Sequence, residues 1–400
     1  MNALVCSSSR FCTTGDGVLW AKNPVLDYQF WSRYLDVFDE IRLLVAAERR
    51  DAPPIGWVRA SGPGALPVTL PYFAGVRQLT SRETRMGIRE ALRQAEAVAL
   101  RLPCLTLSCQ VWRALARGRP YGVDVCGDPY DGFAPGALRH PLRPLLRWWY
   151  ARELRNQCAG ACAAAYVTER ALQERYPPAP DAFSTHYSSI QLHDDAFVSV
   201  PPERPRRAGQ FTLLTVGTLE QLYKAPDVLL EATAMAVRLA PSLGLRLVLV
   251  GDGRYRPELE ARVASLALAR RVRFVGRTPA GQAVRDQLDQ ADLFVLPSRT
   301  EGLPKAMIEA MARGLPCIGS TVGGIPELLA PEDLVRPEQP ALLAQRILEV
   351  AADTPRMACM AARNLQKARE YHENALRERR RALYLHLKER TQEWIRTRRA

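Results

Sequence analysis

Two glutamates eight positions apart, Glu301 and Glu309, stand in the stretch LFVLPSRTEGLPKAMIEAMARGLPCIGSTVGGIPELL, residues 293–329. The first falls in a turn after an apolar run that ends at Pro297 and Ser298. The second falls inside a helical pattern that opens at Pro304. Proline is well tolerated in a first helical turn, where no intrahelical N–H bond is lost. The amides near Gly302, Leu303 and Lys305 then face out of the helix end, and with the dipole they form an anion site suited to phosphate. Gly302 leaves room for a ligand to approach the backbone. A carboxylate beside a phosphate is unfavourable unless it binds something else. Sugar hydroxyls are its natural partner, because one carboxylate accepts two of them. The spacing therefore suits a ligand with hydroxyls on both sides of a diphosphate. An ordinary helix-start acid followed by a surface glutamate would leave the same letters.

Lys224 follows a strand pattern and precedes a helix pattern in TVGTLEQLYKAPDVLLEA. A lysine there can neutralise a diphosphate leaving group, or be a solvated loop lysine.

The elements that must position these groups follow a regular alternation. The segment Val198 to Gln210, with its prolines and arginines, reads as a linker. After it, strand patterns at 211–217, 245–253, 272–276, 293–298 and 316–320 alternate with helix patterns at 225–240, 257–268, 283–291 and 304–314. Continuous apolar strands alternating with helices predict a parallel sheet covered on both faces. Ligands of such sheets bind beyond the carboxyl ends of the strands. The first half also reads as α/β, with strand patterns in NALVCSSS, AVALRLP, GVDVC and AAAYV. The predicted domains are 1–200, 201–362 and a basic helical tail, 363–400. In that tail Leu376, Leu383, Leu387 and Trp394 form one stripe for docking.

Composition narrows the class. The 400 residues suit two domains, and 47% hydrophobic with 24% charged residues describes a soluble globular chain. The net charge is +13, and the tail holds twelve basic against five acidic residues, which favours anionic partners. The nine cysteines are dispersed, without zinc or redox spacing, as in a reduced cytosolic protein. No secretory leader pattern and no apolar run long enough to span a bilayer is present. In Ala137 to Gln157, five arginines accompany Leu142, Leu145, Leu146, Trp148, Trp149 and Tyr150. That mixture suits peripheral contact with an anionic membrane, or a helix packed by its tryptophans.

From Leu213 to Leu329 the chain resembles the donor-binding domain of glycosyltransferase family 4, of GT-B fold. The carriers are TVGTLEQLYKAPDVLLEA, LVLVGDG, VRFVG and the stretch that holds Glu301 and Glu309, in that order and spacing. The resemblance implies two Rossmann-like doubly wound domains facing a central cleft, with a C-terminal helix crossing back to the N-terminal domain. It implies a retaining transferase that takes a nucleotide-diphospho-sugar and needs no metal or other cofactor. By that likeness Glu301 contacts the donor sugar and Glu309 the ribose. Gly302, Leu303 and Lys305 support the sugar and phosphates, Lys224 holds the diphosphate, and Val275 flanks the base. Gly15 and Gly17, in TTGDGV, match the glycine-rich element beneath the diphosphate, or form a plain turn.

Two departures stand out. Thr218 occupies the place where many members carry a diphosphate arginine, which leaves Arg254 or Arg277 as substitutes. The N-domain strand that should precede a histidine ends in CGDPYD, where Asp128 is the nearest polar residue; a turn-forming role fits it equally. The implied acceptor is a glycan or a lipid-linked glycan, with the enzyme cytoplasmic and peripheral on the inner face of the membrane. A catalytically inactive GT-B partner or scaffold is the alternative. Nucleic acid is not expected, since charge alone motivates it.

Overall fold

Runs such as LLTV, LVLV and FVLP can bury both faces of a strand, and helices between them supply the cover. The computed structural model describes residues 1–73, 81–104, 106–133, 140–202 and 209–399. Part of the predicted linker and the start of the arginine–tryptophan segment lie outside these residues. The chain forms two compact units. The first comprises Met1–Tyr130, Pro144–Ser189 and Arg377–Ala400, and the second Asp131–Arg143 and Ile190–Leu376.

The second unit carries a six-stranded parallel sheet. Its strands are β11 (Phe211–Val216), β12 (Leu245–Val250), β13 (Val272–Gly276), β14 (Leu293–Leu296), β15 (Cys317–Ser320) and β16 (Leu334–Val335), in the order β13-β12-β11-β14-β15-β16. The chain starts in the middle, builds outward to β13, then returns to β14 on the other side of β11. That reversal makes a topological switch point between β11 and β14. Leu213, Leu247, Leu249, Leu293 and Val295 belong to one buried cluster with Leu229, Leu343 and Ile347. Truncating one such leucine to alanine costs about 2–5 kcal/mol.

The first unit holds a ten-stranded sheet ordered β10-β9-β8-β7-β1-β4-β2-β3-β5, with β6 also on β4. Its strands are β1 (Asn2–Cys6), β2 (Phe11–Thr13), β3 (Leu19–Ala21), β4 (Glu40–Arg49), β5 (Val58–Arg59), β6 (Ala65–Pro71), β7 (Ala97–Leu102), β8 (Gly122–Val125), β9 (Ala163–Tyr166) and β10 (Phe183–His186). The run from β10 to β4 is parallel, and β3 pairs antiparallel on both sides. The long last helix, Glu373–Arg399, has most of its length in the first unit. There it buries Leu383 and Leu387 and stacks Tyr384 on Tyr34, centroids 4.3 Å apart.

Candidate functional site

The loops that leave β11 and β14 meet at the switch point of the second unit. After β11 the chain passes Gly217, turns at Leu222–Lys224, and enters the helix Pro226–Leu239. Gly217 is required by close packing, since a Cβ there would lie 2.2 Å from Cδ of Lys224. The lysine stem lies in that space, and its Nζ donates to Glu301 Oε1 at 2.8 Å. Ser298, fully buried at the end of β14, donates to the same oxygen at 2.9 Å. Two donors thus hold one carboxylate oxygen, while the other makes no hydrogen bond among the described residues. The Lys224 and Glu301 side chains are only 16% and 7% exposed. Nζ of Lys224 also stands 5.1 Å from the centre of the Tyr223 ring. Burial works to lower the lysine pKa, but Glu301 and Tyr223 outweigh it and hold the ammonium above its ordinary value.

Beyond Glu301 the backbone is set for the helix Lys305–Ala312, with Pro304 as its cap. The amides of Gly302 and Leu303 have no backbone acceptor among the described residues. A second loop closes against them. Gly324 donates to the Gly302 carbonyl at 2.7 Å, and Gly323 adopts φ 54°. A Cβ on Gly323 would fall 1.9 Å from the Glu301 carbonyl oxygen, so this loop tolerates no side chain there. The helix ends in a Schellman motif at Gly314, with Leu315 N bonding Ala310 O and Gly314 N bonding Met311 O. Glu309 lies on this helix, partly buried instead of a free surface acid. Burial raises its carboxyl above the ordinary glutamate value, against the opposing pull of Lys305 and Arg285.

Lys224 and Glu301 therefore touch, and Gly302, Leu303, Lys305 and Glu309 continue from them along one loop and helix. Val275 lies on β13, at the end of the same sheet. Thr218 accepts a bond from the Glu220 amide and shapes its turn. Of the two substitute arginines, both exposed, Arg254 follows Gly253, whose Cα packs so tightly on Leu219 and Glu220 that a Cβ would lie 2.2 Å from both. Arg277 follows β13.

The first unit holds the other predicted residues. Asp128 is occupied: its carboxylate accepts the Tyr130 amide at 2.8 Å and the Tyr176 hydroxyl at 2.5 Å, and pairs with Arg175. Those are the contacts of a turn-forming residue. Gly15 and Gly17 lie in the β2–β3 hairpin turn, closed by bonds between Thr14, Gly17 and Val18, with φ 79° at Gly17. No atom lies within 4 Å of a Cβ built on either glycine. On the helix Arg143–Ala159, Leu145 and Trp148 are each 57% exposed, and Leu142 just before it is exposed too. The tryptophan at 148 is thus at the surface, with Arg152 stacked 5.4 Å from its ring.

Ser298 and Tyr223 were not singled out by the sequence reading. A hydroxyl directly after a buried strand, three residues before an acid, was the available signal for Ser298. Among the described residues no group of three His, Cys, Asp or Glu side chains is placed to hold a metal ion. No helix among them is long and apolar enough to cross a membrane.

The profile of the family described as Glycosyl transferases group 1 matches residues 210–353. A D-inositol 3-phosphate glycosyltransferase of Streptomyces coelicolor is 38% identical over 170 residues, which is 38% of this chain and 36% of that protein. The match thus spans about a third of that relative's length. Protein CapJ of Staphylococcus aureus is 22% identical over 80% of this chain and 79% of its own. Among solved structures, sucrose-phosphate synthase from Thermosynechococcus elongatus superposes with TM-score 0.69 at 18% identity, over 97% of this chain and 99% of that one. WaaG, a glycosyltransferase involved in lipopolysaccharide biosynthesis, gives 0.62 at 16% identity, over 96% and 99%. Anabaena Alr3699/HepE in complex with UDP and glucose gives 0.62 at 15% identity, over the whole of both chains. The chain has the GT-B fold, and its residues 210–353 match the family described as Glycosyl transferases group 1.

Proposed function

We propose that this protein is a retaining glycosyltransferase that moves a sugar from a nucleotide-diphospho-sugar to a glycan or lipid-linked acceptor without a metal ion. The observation that carries the reading is the buried Lys224–Glu301 pair at the switch point, beside the unbonded amides of Gly302 and Leu303. The ammonium and the helix end supply positive charge for a diphosphate. The free oxygen of Glu301 remains for a sugar hydroxyl, and Glu309, further along the helix, for the ribose. Similarity to a chain solved with UDP and glucose supports a nucleoside diphosphate as the carrier.

In this reading the bond from the sugar's anomeric carbon to the phosphate oxygen breaks. A bond to the acceptor oxygen forms on the same face, and the acceptor proton passes to the departing phosphate oxygen. Catalysis is positioning and charge stabilisation. Lys224 stabilises the diphosphate as its charge grows, and Glu301 orients the sugar. Lys305 adds positive charge at the first turn of the helix, and Val275 flanks the base. Gly15 and Gly17 would let backbone approach the ligand, and Asp128 acts by holding its turn. Arg254 supplies the charge missing at Thr218.

The acceptor reading rests on the exposed Leu142, Leu145 and Trp148 with the arginines around them. An apolar stripe with cations suits an anionic membrane, where a lipid-linked glycan of envelope or polysaccharide synthesis would be met from the cytoplasmic side. Thermal stabilisation by one nucleotide-sugar from a panel, followed by transfer to an acceptor, is the test of the enzyme. No stabilisation by any nucleotide-sugar, with no hydrolysis of one, would leave the reading without support and favour an inactive partner. Flotation with anionic vesicles at low salt tests the membrane contact, and absence of binding ends it.

A further inference from the structure

Among the described residues three that are not glycine have positive φ, and two of them, Ala225 at 51° and Glu338 at 60°, sit beside the partners of one side chain, Arg299. A left-handed backbone is unfavourable for such residues, and persists where the surroundings enforce it. Arg299 bonds residues on both sides of Ala225 and the side chain of Glu338. Its amide donates to the Tyr223 carbonyl at 2.7 Å. Its Nη1 donates to the Leu222 carbonyl at 2.6 Å and to Asp227 Oδ1 at 2.8 Å, and its Nη2 to Asp227 Oδ2 at 2.7 Å. Its Nε stands 2.6 Å from Glu338 Oε1.

Those contacts bracket Lys224. Leu222 and Tyr223 precede it, Ala225 follows it, and Asp227 opens the next helix. Arg299 itself is two residues before Glu301. One planar guanidinium therefore joins the turn that carries the lysine to the turn that carries the glutamate.

We propose that Arg299 is a positioning residue that fixes Lys224 and Glu301 in register for the reaction, with Asp227 and Glu338 as its carboxylate anchors; this rests on the proposed transferase function. Its fork geometry is essential, because a lysine presents one point charge and cannot hold two carboxylates and a carbonyl in one plane. The role is distinct from supplying charge to a ligand.

The test compares the parent protein with R299Q, R299K, D227N, K224A and the double variant K224A/R299Q. The donor is the member of a panel of UDP-, GDP- and ADP-sugars that raises the parent's melting temperature most. Expected are a fall in kcat of about tenfold in R299Q and R299K, with donor KM changed less than about threefold. The double variant should lose clearly less than the product of the two single losses, because part of the effect of Arg299 runs through Lys224. A role in general stability would instead multiply the two losses. Amide hydrogen exchange of residues 222–227 without ligand should quicken in R299K and D227N, which keep size if R299Q folds poorly. Full activity in R299K, multiplicative losses in the double variant, or unchanged exchange would each overturn the proposal. If the parent transfers no sugar, the transferase reading fails by itself, and the exchange measurement still decides whether Arg299 holds the turn.

Discussion

The carboxyl ends of the two sheets are built differently. In the second unit the loops after β11 and β14 hold a lysine and a glutamate in direct contact, with one carboxylate oxygen unbonded. In the first unit the loop after β8 holds Asp128, whose oxygens are taken by Tyr130, Tyr176 and Arg175. One acid is left partly unsatisfied beside open amides; the other is saturated by its own turn. The second oxygen of Glu301 keeps access to solvent, so its bonding capacity is open without the cost of a buried unsatisfied group. A charged residue after a strand is therefore not by itself a site. What distinguishes the two is remaining bonding capacity.

Glu301→Ala strands a buried ammonium, so it should lower stability by about 3 kcal/mol. It should also reduce transfer at least about tenfold, or 1.4 kcal/mol. Lys224→Ala should show a similar loss of rate. Chemical denaturation and initial rates at saturating donor measure both. Full rate in either variant would place the second unit's edge on the same footing as the first.

Asp128→Asn is the matching change in the first unit. It weakens charge-assisted bonds in a turn and should cost about 2 kcal/mol of stability. Its kcat, measured well below the melting temperature, should stay within about twofold. A tenfold fall in kcat with unchanged stability would make Asp128 a participant and erase the contrast.

Glu309 makes the second unit sensitive to pH. Its folded pKa is raised above the ordinary 4.5 because burial disfavours the charged form. The sign follows: stability from the neutral form is fully present below pH 4.5 and is lost as pH rises through the folded value. Glu309→Gln should remove that dependence. Above the folded pKa its melting temperature should exceed the parent's by about 2 °C. Donor affinity should move oppositely in the parent, weakening as pH falls and the carboxylate proposed to accept ribose hydroxyls is protonated. A pH-independent difference between the two proteins would remove Glu309 from the ligand reading.

The same contrast explains what was legible. The parallel sheet of the second unit was readable because β-branched apolar runs such as LLTV, LVLV and FVLP alternate with helix patterns, and Lys224 and Glu301 follow such strands. In the first unit, β6 was missed because ALPVTLP places prolines in a strand, and β10 because FSTH is short and polar. The helix Arg82–Gln94 has few apolar residues, although Ser81 caps it by accepting the Thr84 amide at 3.2 Å. Arg299 carried no signal either. Its partners Leu222, Asp227 and Glu338 are distant in sequence, and only the fold brings their oxygens around one guanidinium.

The smallest expected effect concerns the charge that Thr218 lacks. Arg254 is exposed, and the glycine before it is wedged against the 217–220 turn. Arg256, two residues on, is already committed to Asp252 at 3.2 Å and Glu260 at 2.8 Å. An arginine without a competing carboxylate can swing toward a diphosphate at little cost, whereas Arg256 would first have to leave two. Exposed charges are strongly screened, so the gain is modest. Arg254→Ala should weaken nucleoside diphosphate binding about threefold, and the loss should shrink as salt rises. Arg256→Ala should leave binding unchanged. Calorimetric titration with UDP at two ionic strengths separates these outcomes. A larger loss in Arg256→Ala than in Arg254→Ala would show that the two carboxylates release their partner when the nucleotide arrives.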